Sequence, residues 1–213
     1  MKNEKKKKLI AACILLALFA LWTIAVCRVD VQPIGAEGTN VGFARLNGRF
    51  HALTGVHMTL YTLTDWLGMA SFVFVLGFGL LGLVQLIRRG HLCRVDRSIL
   101  ALGIFYILVL AAYFLLEKLA INYRPILIDG RLEASYPSST TMLALCVLPT
   151  AMMQLKRRIR SRTGRALALW LLGTLTVFLV AARLISGVHW LTDIIGGALL
   201  SAGLVLFYAA FSE

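Results

Sequence analysis

Apolar residues do not alternate along this chain; they run in long blocks separated by short polar links. A membrane-crossing helix needs about 20 mostly apolar residues, and six stretches qualify: 9–27, 67–87, 98–116, 138–154, 166–182 and 191–211. Apart from Asp193 at the start of the last, none of these cores holds a charged residue. The pattern therefore predicts an all-α polytopic membrane protein, a bundle of six transmembrane helices forming one domain over 1–213. Segment 28–66 between the first two spans is mixed, with five glycines and a proline, and its stretch 50–63 suits a short interfacial helix.

Composition agrees with that architecture. Of the 213 residues 59% are hydrophobic and 15% charged, and the mean hydropathy is +0.81, whereas soluble domains run near ~45–50% apolar and ~25% charged. The net charge of +12 would raise the question of nucleic acid in a soluble protein, but its distribution answers that. Segments 1–8, 88–97 and 155–165 hold fifteen of the 22 Lys and Arg residues and, with the C terminus, three of the ten acidic residues. The remaining seven basic residues are matched by seven acidic ones. The positive-inside rule then places both termini and the basic links in the cytoplasm, where they meet anionic lipid. No nucleic-acid role is called for, and a cell-membrane location follows.

The first span after its lysines also has the outline of a signal peptide, but it is long for one and lacks a small-x-small cleavage pattern, so it reads as a retained helix. Cys13, Cys27, Cys93 and Cys146 have no CxxC spacing and suggest neither a disulfide framework nor a metal site. No metal motif and no nucleotide loop is present, so no cofactor is expected.

The chemistry gathers at the other end of the spans. Lys118, Arg124, Arg183, His189 and Asp193 all fall at that level, and three cations with a His and a carboxylate suit a tetrahedral oxyanion. His189 and Asp193 lie four residues apart and share one helical face. A carboxylate taking the proton of one ring nitrogen would leave the other free to attack. Ser138, Ser139, Thr140 and Thr141 follow Pro137 as at a helix start, where backbone N–H groups can hold an anion.

The runs Lys118-Leu-Ala-Ile-Asn-Tyr-Arg124-Pro125, Tyr136-Pro137-Ser138-Ser139-Thr140-Thr141 and Arg183-Leu-Ile-Ser-Gly-Val-His189-Trp-Leu-Thr-Asp193 resemble the three signature motifs of the type 2 phosphatidic acid phosphatase superfamily. The resemblance implies a metal-independent phosphatase acting on lipid phosphates at the outer membrane surface. His189 would be the nucleophile that becomes phospho-histidine and Asp193 its orienting partner. Lys118, Arg124, Arg183, Ser138 and Ser139 would hold the phosphate.

Three positions depart from the family pattern. Lys118 and Arg124 are separated by five residues rather than six, which on an unbroken helix turns them about 120° apart. Ala182 stands where Ser is usual. In the second motif Ser139-Thr140 replaces Gly-His, and that His is the family's general acid. A Thr hydroxyl titrates too high for the task. Three readings follow: no catalysis, another acid among Tyr136, Glu117, Glu133, His51 and His57, or a substrate that needs none. A diphosphate releases an already stable anion, so a polyprenyl diphosphate suits an acid-free site better than phosphatidate does. The alternative is a protein that binds or transports a lipid phosphate without hydrolysing it. Oligomeric state cannot be read from the sequence.

Overall fold

A computed structural model describes residues 2–212, and the described chain is helical. Seven α-helices follow in order: α1 (Lys2–Arg28), α2 (Ala44–Thr54), α3 (Met58–Arg89), α4 (Arg97–Leu119), α5 (Ser139–Arg158), α6 (Arg162–Ile185) and α7 (Leu191–Ser212). Helices α1, α3, α4, α6 and α7 are long and apolar enough to cross a membrane. Their outward faces carry large apolar side chains such as Leu21, Leu76, Ile107 and Trp170, as a lipid solvent requires.

Helix α5 covers the fourth expected span but falls outside that hydropathic group. It packs along α3, α6 and α7, so its polar side chains meet protein. Thr141, Thr150 and Gln154 on it are all buried. Beside Pro149, which lacks an N–H to continue the ladder, the Thr150 hydroxyl lies 2.7 Å from the Cys146 carbonyl and 3.0 Å from that of Val147.

The link between the first two spans corrects the sequence reading. The helix expected over 50–63 is broken: α2 ends at Thr54, Gly55 turns with φ 66°, and α3 begins at Met58. α3 therefore starts nine residues before the expected span, and Asp65, read as a loop charge, lies within it. Polar residues at its first turns hid this start from hydropathy.

Connections at one end join the basic segments. Asp96 pairs with both Arg89 and Arg158, Lys5 sits 4.3 Å from the Phe211 ring centroid, and Arg157 donates to the Ser212 carbonyl. The opposite end holds the α6–α7 turn, the start of α5 and the loop that follows α4. In that loop the Arg124 N–H donates to the Glu133 carbonyl at 3.0 Å and the Ser135 N–H to the Asn122 carbonyl at 2.8 Å. These bonds fold 122–135 into a hairpin that sets Arg124 against the bundle.

Candidate active site

Helix α6 ends at Ile185 and α7 begins at Leu191, and the turn between them carries His189 into the protein. Gly187 makes that turn possible. Its φ is 69°, and a Cβ there would lie 1.8 Å from the Gly55 carbonyl oxygen, so only glycine permits the approach. The His51 ring lies 3.1 Å from the Gly187 carbonyl, and the His57 N–H donates to the Ser186 carbonyl.

His189 is 3% exposed, and its two ring nitrogens have different partners. Nδ1 lies 3.1 Å from the Ser135 carbonyl. A carbonyl only accepts, so Nδ1 carries the proton and Nε2 keeps a lone pair. Arg124 Nη1 is 3.3 Å from Nε2 and can donate to it. Burial, followed by the charges of Arg124 and Arg183, pushes the imidazole pKa well below 6.5, against the pull of the Ser135 bond. The ring is thus held neutral with its free nitrogen facing the cationic end of the pocket.

Asp193 is fully buried, and its Oδ2 lies 3.6 Å from His189 Nδ1, longer than a hydrogen bond. Oδ2 accepts the Trp190 N–H at 2.9 Å and Oδ1 the Asn122 amide at 3.3 Å. Asp193 therefore ties the α7 start to the hairpin and faces the ring at ion-pair distance, while the Ser135 carbonyl accepts the ring proton. Neither Ser135 nor Asn122 has a spacing signal in the sequence.

Arg183 is 2% exposed, and its two amino groups grip α3 and α5. Nη2 donates to Asp65 at 2.5 Å and to the Thr140 hydroxyl, while Nη1 reaches the Thr64 hydroxyl at 3.1 Å. Its Nε–H has no acceptor. The Nε–H of Arg124 is likewise unsatisfied, since Glu133 Oε2 lies 3.0 Å away but off the hydrogen-bond direction. Tyr61 packs near both guanidiniums, its ring centroid 5.7 Å from Arg124 Cζ and 4.6 Å from Arg183 Cζ. Two buried cations, each with an unused donor, present a pair of N–H groups that an anion could satisfy.

The second run caps α5. Ser138 is its N-cap, buried, with Oγ accepting from the Thr141 N–H. Ser139 and Thr140 line a cavity of about 320 Å³ whose other walls include Asp65, Phe72, Tyr113 and Leu143. Lys118 is exposed at the end of α4 and bonds to none of the described residues, because the helix stops at Leu119 and Ala120 turns with φ 44°. Of the alternative acids, Glu133 alone pairs with a site arginine, Arg124. The Tyr136 hydroxyl is held 2.7 Å from Thr23, His57 turns to the Thr54 carbonyl, and Glu117 is exposed. Tyr61 and Asp65, like Ser135 and Asn122, are site residues that the sequence did not reveal.

Comparison with known proteins bears on the family and the fold. The PAP2 superfamily model matches residues 113–213. No curated protein sequence matches the chain. Among solved structures, the fold is similar to the transmembrane PAP2 type phosphatidylglycerolphosphate phosphatase from Bacillus subtilis. That likeness has a TM-score of 0.62 at 17% identity and covers 93% of each chain. The resemblance read from the three runs is thus borne out by a family match and a shared fold.

Proposed function

We propose, from the premise that residues 113–213 are PAP2 superfamily sequence, that this protein hydrolyses a lipid phosphate or diphosphate through phospho-His189. The observation that carries the reading is the tautomer: Nδ1–H is committed to the Ser135 carbonyl, so Nε2 is an unprotonated nucleophile beside two buried guanidiniums. A phosphate between Arg124 and Arg183 would take their unused N–H groups and draw Arg124 off Nε2. The lone pair would then face phosphorus, and the two cations would offset charge on the transferring phosphoryl group. Ser138, Ser139 and Lys118 complete the proposed phosphate cradle, and Asp193 orients the ring through its charge and the α7 start.

Thr140 points to the substrate. Its hydroxyl accepts from Arg183 and is no acid at neutral pH, so a leaving group that needs no proton is favoured. A polyprenyl diphosphate meets that condition, whereas phosphatidate would have to expel an alkoxide. The same replacement supports a second reading, a protein that binds or moves lipid phosphate without hydrolysing it.

The membrane placement completes the proposal. α5 is the sixth crossing, both termini are cytoplasmic, and the site faces the extracytoplasmic side, because the basic links cluster at the far end. Phosphate release by purified protein, from a polyprenyl diphosphate and from phosphatidate in parallel, tests the function, with His189→Ala as control. Release that depends on His189 and is faster from the diphosphate is expected. Binding of lipid phosphate that depends on Arg124, without release, would establish the second reading instead.

A further inference from the structure

We infer that Asp65 is the general base that activates water against phospho-His189, a role that rests on the phosphatase reading above. Hydrolysis through a phospho-enzyme needs two in-line displacements. In the first, His189 Nε2 bonds to phosphorus as the bond to the leaving oxygen breaks, and the leaving group keeps the electron pair. In the second, water must come from the side opposite Nε2, the space that the leaving group has vacated.

A series of contacts links the groups: His189 meets Arg124, the Tyr61 ring packs near both Arg124 and Arg183, and Arg183 meets Asp65 and Thr140. Beyond these two lies the 320 Å³ cavity that both line. A phosphoryl group held by the two arginines would have His189 at its Arg124 end and Asp65 with Thr140 at its Arg183 end, the placement that the second displacement needs. The Asp65 side chain is 44% exposed, so the carboxylate that pairs with Arg183 is also open to the cavity. Thr140 accepts from Arg183 and keeps its own O–H to orient a water.

The pairing with Arg183 also fixes which half of the chemistry Asp65 can serve. A carboxylate accepts a proton and has none to give. It cannot protonate an alkoxide in the first displacement, but it can take the water proton in the second. There the water oxygen bonds to phosphorus, the P–Nε2 bond breaks with its electron pair returning to His189, and the proton passes to Asp65 and then to solvent with inorganic phosphate. A site with a base and no acid turns over diphosphates and stalls on monoesters, which is the preference that Thr140 suggests independently.

Rapid-quench kinetics with a radiolabelled polyprenyl diphosphate tests this. Asp65→Asn keeps an oxygen for Arg183 and removes the base. It is expected to form His189-dependent phosphoenzyme at close to the wild-type rate and to break it down about 10²-fold more slowly, so that the label accumulates. Hydroxylamine, which attacks without first losing a proton, should restore breakdown. Asp65→Glu should break the intermediate down faster than Asp65→Asn does. Equal slowing of both steps would make Asp65 only a support for Arg183 and overturn the assignment, as would unchanged breakdown. Wild-type release with no phosphoenzyme that depends on His189 would instead overturn the covalent reading on which the assignment rests.

Discussion

The bundle has a polar cluster at each end, and the two are built on opposite terms. At the basic end Asp96 receives Gln85 at 2.8 Å, Arg89 at 2.9 Å and Arg158 at 3.6 Å, and Gln154 bridges the Ser98 carbonyl, Arg158 and the Tyr208 hydroxyl. The arginines there are partly exposed, and none of their nitrogens is buried without a partner among the described residues. At the other end Arg124 and Arg183 are buried, and each keeps an N–H with no acceptor. A buried donor left idle costs ~1–3 kcal/mol, a cost without structural purpose unless something else fills it. The basic end closes the bundle; the histidine end holds capacity in reserve.

The sharpest way to break this contrast is to remove the proposed nucleophile. His189→Ala should take phosphate release to background, on the order of a 10⁶-fold loss if it behaves as other nucleophile deletions do, while Arg89→Gln leaves release per folded molecule unchanged. Comparable losses at both ends would show that the contrast says nothing about chemistry. Arg183→Lys comes next, since a lysine cannot serve Asp65, Thr140 and a phosphate together. Its kcat/KM is expected to fall about 10³-fold or more, in the range of other arginines that stabilise phosphoryl transfer.

A pH profile sharpens the same comparison. Since the ring pKa lies well below 6.5 and the neutral form attacks, activity should persist as pH falls through 6.5 and fail only well below it. Arg124→Gln removes the second-largest cause of that depression, so the acid limb of its residual activity should move upward. A limb that stays in place would deny the electrostatic coupling. The smallest effect belongs to the basic end. Hydrogen bonds from Arg89 and Gln85 hold the Asp96 carboxyl below its usual range. The stability that this adds is present above about pH 4 and lost as pH falls through the lowered value. Asp96→Asn should cost no more than ~1 kcal/mol at neutral pH in an unfolding assay, as an exposed pair does.

How much of this was written in the sequence depends on what each segment faces. The spans around α1, α4 and α6 were legible because most of their side chains face outward into lipid, and α7, although more than half buried, because the residues it buries are largely apolar too. α5 was found from its start at Pro137-Ser138 and a modest apolar run, since Thr150 and Gln154 are buried against protein. The first nine residues of α3 escaped because Tyr61, Thr64 and Asp65 belong to the site, and polarity there looked like a loop. In the site, Arg124, Arg183 and His189 stood out by type and spacing. Ser135, Asn122, Tyr61 and Asp65 did not, because contact across separate segments leaves no spacing to read. Lys118 matched a motif, yet it lies exposed at a helix end without a bond to the described residues.

The family match begins at residue 113, yet what steadies the matched half comes partly from outside it. Trp22 on α1 donates to the Thr192 carbonyl at 3.2 Å, Thr23 meets Tyr136, and Asn47 on α2 binds the Thr192 hydroxyl at 3.0 Å. Leu16 packs where a Cβ on Gly203 would lie, at 2.9 Å. The first helix, which as sequence is a generic anchor, is thus a fitted part. A chimera that swapped it for another apolar segment would keep the hydropathy plot and lose the brace under the turn that carries His189, so the family-matched part of this chain is not a portable module.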